Sequence, residues 1–114
     1  MNESNNLYIL WTNPDVLTSQ FMVMMYATNS KIHNWWNNVT VIIWGATAKL
    51  VAENDVIQER IKMAMQAGVK ISACISCAKE LGVIEDLKNL GIEVKPWGEP
   101  LSEILKANEK LITI

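Results

Sequence analysis

Two patterns of apolar and polar positions alternate along the chain. Leu7-Tyr8-Ile9-Leu10-Trp11 is a short, nearly continuous apolar run, as a strand buried on both faces requires. Thr12-Asn13-Pro14-Asp15 breaks it and offers Thr12 or Asp15 as a helix cap. Leu17, Phe21, Met24, Met25 and Thr28 then recur at helical spacing, predicting a first helix over about residues 15–31. A polar connection with Asn34 and Asn37-Asn38 follows, with Trp35-Trp36 set inside it. Val39 to Trp44 is the clearest strand, rich in β-branched residues and closed by Gly45.

Ala46 to Asn54 reads as a loop with one helical turn. Asp55 followed by Gln58 resembles a capping box, with Asp as the cap, ahead of a helix carrying Ile57, Ile61, Ala64 and Met65 and stopped by Gly68. Val69 to Cys74 is a third strand, and Ser76 to Leu81 a short helix ended by Gly82. Ile84, Leu87 and Leu90 extend helical character to Gly91. Ile92 to Lys95 forms a fourth strand stopped by Pro96. Pro100 to Asn108 reads as a last helix with Leu101, Ile104 and Leu105 inward, and Leu111 to Ile114 as a fifth strand. Strands that are apolar throughout, alternating with helices, predict an α/β fold. The expected form is a three-layer α/β/α sandwich around a mostly parallel sheet of about five strands.

Composition narrows the classes. The 114 residues, half of them hydrophobic, suit one domain spanning 1–114. Ten basic against 12 acidic residues, with no basic stripe, speak against a nucleic-acid partner. The longest apolar runs are too short to cross a bilayer, so no membrane association is expected. The polar start Met1 to Asn6 lacks the features of a secretory leader, and two cysteines are too few for a disulfide scaffold. The expected setting is the cytoplasm, with reduced thiols.

In a parallel sheet the segments that follow the strands emerge along one edge, where ligand and reacting groups of open α/β sheets gather. Here they bring Trp11, Thr12 and Asn13; Trp44, Gly45 and Thr47; Cys74, Ser76 and Cys77; and Trp97 to that edge. Cys74 is the candidate for chemistry. It lies where a strand hands over to a helix, and a helix N-terminus favours a thiolate. Lys79, nearby in sequence, adds positive charge if it curls back. The plain alternative is a small hydrophobe closing a buried strand. Cys77, one helical turn on, completes a C-x-x-C spacing, with packing, assisting or resolving roles open to it. Trp11, Trp44 and Trp97 are candidates for the wall of an apolar pocket around the thiol, or for core packing or a subunit contact. Gly45 and Thr47 could present donors to an anion, although no G-x-G-x-x-G or Walker pattern exists. Two cysteines and the lone His33 leave a structural zinc site without its fourth ligand, so no metal is expected. No G-x-S-x-G elbow points to hydrolysis.

These residues resemble the DsrE/DsrF-like family, which includes sulfur-relay subunits of the TusD and DsrE type. The resemblance runs from Leu10-Trp11-Thr12 through Val41-Ile42-Ile43-Trp44-Gly45 and Ala73-Cys74-Ile75-Ser76-Cys77-Ala78 to Leu90-Gly91-Ile92-Glu93-Val94. It implies that Cys74, with Gly82 eight positions on, carries sulfur as a persulfide. It implies no cofactor, homo- or hetero-oligomers commonly assembled in multiples of two or three (a homo-oligomer being expected here), and sulfur donor and acceptor proteins as partners. Cys77 has no counterpart among the carrier cysteines of those relay subunits. Three functions are thus in view: a persulfide carrier, or sulfurtransferase, using Cys74; a dithiol redox protein using Cys74 and Cys77; and a non-catalytic module binding a small ligand or another subunit.

Overall fold

In the computed structural model, residues 5–114 are described. Most of the polar start weighed above against a leader, residues 1–4, lies outside the described residues. Five strands form one sheet, β1 (Asn6–Trp11), β2 (Asn38–Ile43), β3 (Lys70–Cys74), β4 (Glu93–Lys95) and β5 (Lys110–Thr113). Their spatial order is β4-β3-β2-β1-β5 and every pairing is parallel. The chain therefore steps outward from β1 to β4, then crosses back to lay β5 on the other side of β1.

The helices are α1 (residues 16–32), α2 (Thr47–Glu53), α3 (Asp55–Gln66), α4 (Ile75–Glu80), α5 (Ile84–Asn89) and α6 (Gly98–Lys106). Right-handed crossovers put helices on one face while the chain steps one way, and on the other face when it returns. The side chains follow that rule. Leu7, Ile9 and Trp11 of β1, Val41 and Ile43 of β2, and Ile71 and Ala73 of β3 pack with Val23 of α1, Val51 of α2, Ile61 of α3, Ala78 of α4 and Leu87 of α5. The opposite face holds a smaller cluster, Ile42, Cys74 and Trp97, joined by half-buried Tyr8, Leu10, Trp44, Cys77 and Ile104 of α6. The three layers are thus unequal, with one helix covering the second face.

Several local expectations shift. The segment after Gly45 is a true helix, α2, because Thr47, Ala48 and Val51 find a buried face there. The cap of α3 is Asn54, one residue ahead of the expected Asp55. Asn54 is extended, and its Oδ1 accepts the Ile57 N–H at 2.9 Å. Asp55 instead occupies the first turn, where its charge suits the helix dipole. Gln58 turns its amide to the Val51 and Ala52 carbonyls rather than to the cap. At α6, Leu101 and Ile104 are half-buried but Leu105 points to solvent. It stands one residue off the single stripe that meets the thin face.

The largest departure is in α1. Asp15 caps it, accepting the Thr18 N–H at 2.8 Å, a bond that holds its carboxyl below the usual range. The middle of the helix, Ser19–Met24, is wound as a π-helix, and Met25 N–H reaches back to Gln20 O. Leu17 and Met24, seven apart, would share a face of a regular α-helix. The wider turn separates them: Leu17 is 64% exposed and Met24 1%. The buried face is Ser19, Val23, Met24, Ala27 and Ser30, and of the apolar residues read from spacing only Met24 lies on it. Beyond α1, Trp35 remains exposed and stacks on His33, while Trp36 donates its indole N–H to Tyr26 Oη at 3.2 Å.

The cap assignment has a stability consequence. Asn54→Ala is expected to destabilise the protein by about 1 kcal/mol in urea unfolding, whereas Asp55→Asn, which loses only a dipole contact, costs about 0.3–1 kcal/mol and less as salt is added. Equal, salt-independent losses would contradict Asn54 as the cap.

Candidate functional site

Strand parity decides what surrounds Cys74. Ile71 and Ala73 of β3 point to the main core, so Ser72 and Cys74 point to the thin face. Cys74 pairs with Lys95 across the β3–β4 ladder, and Ser72 with Glu93. The Cys74 residue is 5% exposed, in one buried cluster with Ile42 and Trp97. Its backbone serves as N-cap of α4, but its side chain makes no capping hydrogen bond. The expected cradle of helix N–H groups around this sulfur is therefore not formed. Lys79 is exposed on α4.

Trp97 is held against this face of β3 by a polar chain. Its indole Nε1–H donates to Ser72 Oγ at 2.8 Å, and Ser72 Oγ lies 2.8 Å from Glu93 Oε1, to which it donates. Lys95 places its ammonium 4.5 Å above the centre of the Trp97 ring and 3.9 Å from Glu93 Oε1. Ser72 is fully buried, so this chain satisfies a hydroxyl that would otherwise be orphaned. Position in sequence alone did not mark Glu93 and Lys95 as neighbours of the thiol; the β3–β4 register does.

Cys77 is half-buried on the first turns of α4, and both cysteines are free. It lines an open apolar cavity of about 470 Å³ together with Gly45, Ala46, Ser76, Glu80 and Leu81. Its side chain packs in the same cluster as Cys74, beside the Gly45 turn. Gly45 has φ +69°, a conformation that L side chains rarely adopt, which turns the chain sharply at the end of β2. Burial pushes the Cys77 thiol above the ordinary cysteine value. The Gly45 N–H opposes that shift, and the adjacent Cys74 adds to it through their hydrogen bond and charge repulsion.

The other residues of the carboxyl edge divide into two groups. Trp44 packs with Cys74, Cys77 and Trp97, and Gly45 and Ser76 border the cavity. Trp11 does not join them. Parity sends its ring to the opposite face, fully buried, where its Nε1–H reaches Ser19 Oγ at 3.0 Å. Thr12 Oγ1 donates to Ile114 O at 2.9 Å, and the Thr12 and Asn13 N–H groups bond the same carbonyl. Asn13 Oδ1 accepts the Asp15 N–H. These groups fasten the end of the chain to β1. Thr47 is also fully engaged: its hydroxyl lies 2.8 Å from Trp11 O and 3.0 Å from Trp44 O, and accepts the Trp44 N–H at 3.1 Å. It joins the ends of β1 and β2, and has no donor left for an anion. Ala46, Glu80 and Leu81 were not singled out from sequence; they reach the cavity because α4 follows β3 beside the Gly45 turn.

The fold is thus an all-parallel α/β domain with two free cysteines at the carboxyl edge of its sheet. The chain belongs to the DsrE/DsrF-like family, whose model matches residues 11–114. It is similar to BT1422 from Bacteroides thetaiotaomicron, a conserved protein of unknown function. The two are 43% identical with a TM-score of 0.95, over 96% of this chain and 95% of that one. The YchN protein of E. coli shares the fold, with a TM-score of 0.71 at 14% identity over 98% of this chain and 100% of that one. No curated protein sequence matches the chain. No helix among the described residues is long and apolar enough to cross a membrane.

The two thiols should be distinguishable in the folded protein. Alkylation followed by peptide mapping is expected to label Cys77 well before Cys74, with equal rates after unfolding. Because the Cys77 pKa is raised, its labelling should reach half its limiting rate at a higher pH than an ordinary cysteine, whose midpoint lies at about 8.5. In Cys74→Ala, which removes one cause of the shift, that profile should move to lower pH.

Proposed function

We propose that this protein carries sulfane sulfur, with Cys74 as the persulfide-bearing residue and Cys77 as an assisting thiol. The observation that carries the reading is the placement of the two free thiols in one cluster at the end of β3, Cys74 buried with Ile42 and Trp97 and Cys77 on the wall of an open cavity. Membership of a family with sulfur-relay members supports it. In the reaction, the Cys77 thiolate attacks the terminal sulfur of a donor persulfide. A new S–S bond forms, the donor S–S bond breaks, and the donor leaves as a thiolate. The Cys74 thiolate then attacks the same terminal sulfur, which regenerates the Cys77 thiolate and leaves a persulfide on Cys74. An acceptor thiol takes the sulfur by the reverse sequence. Each exchange is neutral in electrons, so no cofactor is needed. The dry surroundings formed by Ile42, Trp44 and Trp97 shield the cargo from competing nucleophiles and oxidants.

Incubation with a small-molecule persulfide, then gel filtration, intact-mass analysis and peptide mapping, tests this. Wild type should retain one added sulfur, on Cys74. Cys77→Ser should load about tenfold more slowly or worse, and Cys74→Ser should retain far less sulfur. The proposal fails if wild type retains none, or if Cys74→Ser retains as much as wild type.

The same pair of free thiols in one cluster favours one second reading, a dithiol redox protein that cycles between two thiols and a Cys74–Cys77 disulfide. A reversible loss of two hydrogens during redox titration, with no sulfur retention, would support it over the carrier.

A further inference from the structure

The thin face of the sheet carries a second cavity, toward the end of β3 opposite Cys74. Tyr8 of β1, Thr40 of β2 and Lys70 of β3 lie in one register row, Tyr8 opposite Thr40 and Thr40 opposite Lys70. Parity places this row on the face that holds Cys74. Tyr8 packs with the Cys74 cluster, and Lys70 opens the strand that Cys74 closes, with Ser72 midway between them. The row borders a cavity of about 260 Å³, lined on its other sides by Lys95 and Trp97 and by Pro100, Glu103 and Ile104 of α6. This cavity shares no residue with the one beside Cys77.

We propose that this cavity binds a small apolar α-amino acid as its zwitterion. Charge carries the inference. Lys95 is already matched, 3.9 Å from Glu93 Oε1 and 4.5 Å from the centre of the Trp97 ring. Lys70 and Glu103 are not: neither side chain has an ion pair or hydrogen bond to another of the described residues. One stands on the sheet and the other on α6, so the cavity carries a free cation on one wall and a free carboxylate on another. An α-amino acid presents both counter-charges, its carboxylate to Lys70 and its ammonium to Glu103. A simple anion or a simple cation would meet a like charge at one of the two. The hydroxyls of Thr40 and Tyr8 also lack a partner among the described residues. Adjacent strands are about 4.8 Å apart, so Thr40 stands within reach of a carboxylate held by Lys70 and can donate to it. Trp97 gives its indole N–H to Ser72 and has only its apolar ring left for a ligand, beside Pro100 and Ile104. The volume falls below the roughly 300–1,000 Å³ of drug-sized pockets, which suits a short apolar side chain. Lys70 and Glu103 are exposed and screened by water, so the expected affinity is modest, with a Kd of about 1 mM.

A magnetic-resonance titration of the isotope-labelled full chain, read at the Trp97 indole N–H, tests the proposal. L-leucine is the probe, with leucinamide, which lacks the carboxylate, and isocaproate, which lacks the ammonium, as controls. Leucine should shift the signal saturably, and each control should bind at least about fivefold more weakly. Lys70→Met should weaken leucine about fivefold and leave leucinamide unaffected. Glu103→Gln should weaken leucine by a similar factor and leave isocaproate unaffected. Lys62→Met, on α3 across the sheet, should bind leucine as wild type does. The proposal is overturned if leucine gives no saturable shift below about 10 mM, or if either control binds as tightly as leucine. It is equally overturned if Lys70→Met or Glu103→Gln leaves leucine binding intact, or if Lys62→Met weakens it as much as they do. Sulfur loading at Cys74 is a separate readout, so failure of one reading is distinguishable from failure of the other.

Discussion

The alternation of side chains along β3 is the constraint on which the site depends. Ile71 and Ala73 are claimed by the main core, and this leaves Ser72 and Cys74 no choice of face. A slip of one residue would reverse all four, taking Ser72 away from its hydrogen-bond partners into the larger apolar core and Ile71 and Ala73 out of it. Pairing on both sides holds the register, with Ile71 opposite Val41 and Cys74 opposite Lys95. The thiol therefore inherits its position from hydrophobic burial elsewhere in the same strand.

Topology then determines how the thiol is covered. Because the chain steps in one direction from β1 to β4, the helices of the first three crossovers share one face. The final crossing back to β5 must cover the other face alone. Its helix, α6, has no fully buried residue, and Trp97, just before it, is the large buried side chain that this crossing adds to the face. A roof made of one ring over a thin face needs a polar anchor, and Ser72, Glu93 and Lys95 provide it. The roof thus depends on hydrogen bonds to adjacent strands more than on the apolar area beneath α6.

Much of this was legible in the sequence, for identifiable reasons. Apolar runs closed by Gly45, Gly68 and Pro96 mark strands and connections whatever their neighbours, and a parallel sheet gathers its strand ends on one edge without further information. Parity was legible too, but not which parity faced which cluster, so Trp11 read as a companion of Cys74 when it lies across the sheet from it. The pairing of Ser72 with Glu93 needs strand order, which no periodicity contains. The stripe on α1 was visible as a stripe, while its direction was not. Spacing identifies an apolar face without saying what covers it, and the π-turn at Ser19–Met24 shifts the helical phase in mid-element.

The two cysteines pose opposite physical problems, and their spacing addresses both. A persulfide on a freely exposed thiol is open to any passing nucleophile, whereas a thiol sealed in a buried cluster cannot meet a donor. Cys74, last residue of a buried strand, has the shelter. Cys77, three residues into the following helix, returns to the same cluster one turn later, where the open cavity begins. Burial that raises the Cys77 pKa also makes its thiolate the more basic, hence more nucleophilic per molecule, at the cost of a smaller ionised fraction near neutrality. The nearby Gly45 N–H opposes part of that shift, and the left-handed turn at Gly45 places this backbone at the edge of the same cavity. A side chain at position 45 would meet no steric obstacle but would strain this turn, so the glycine answers to backbone conformation rather than to space.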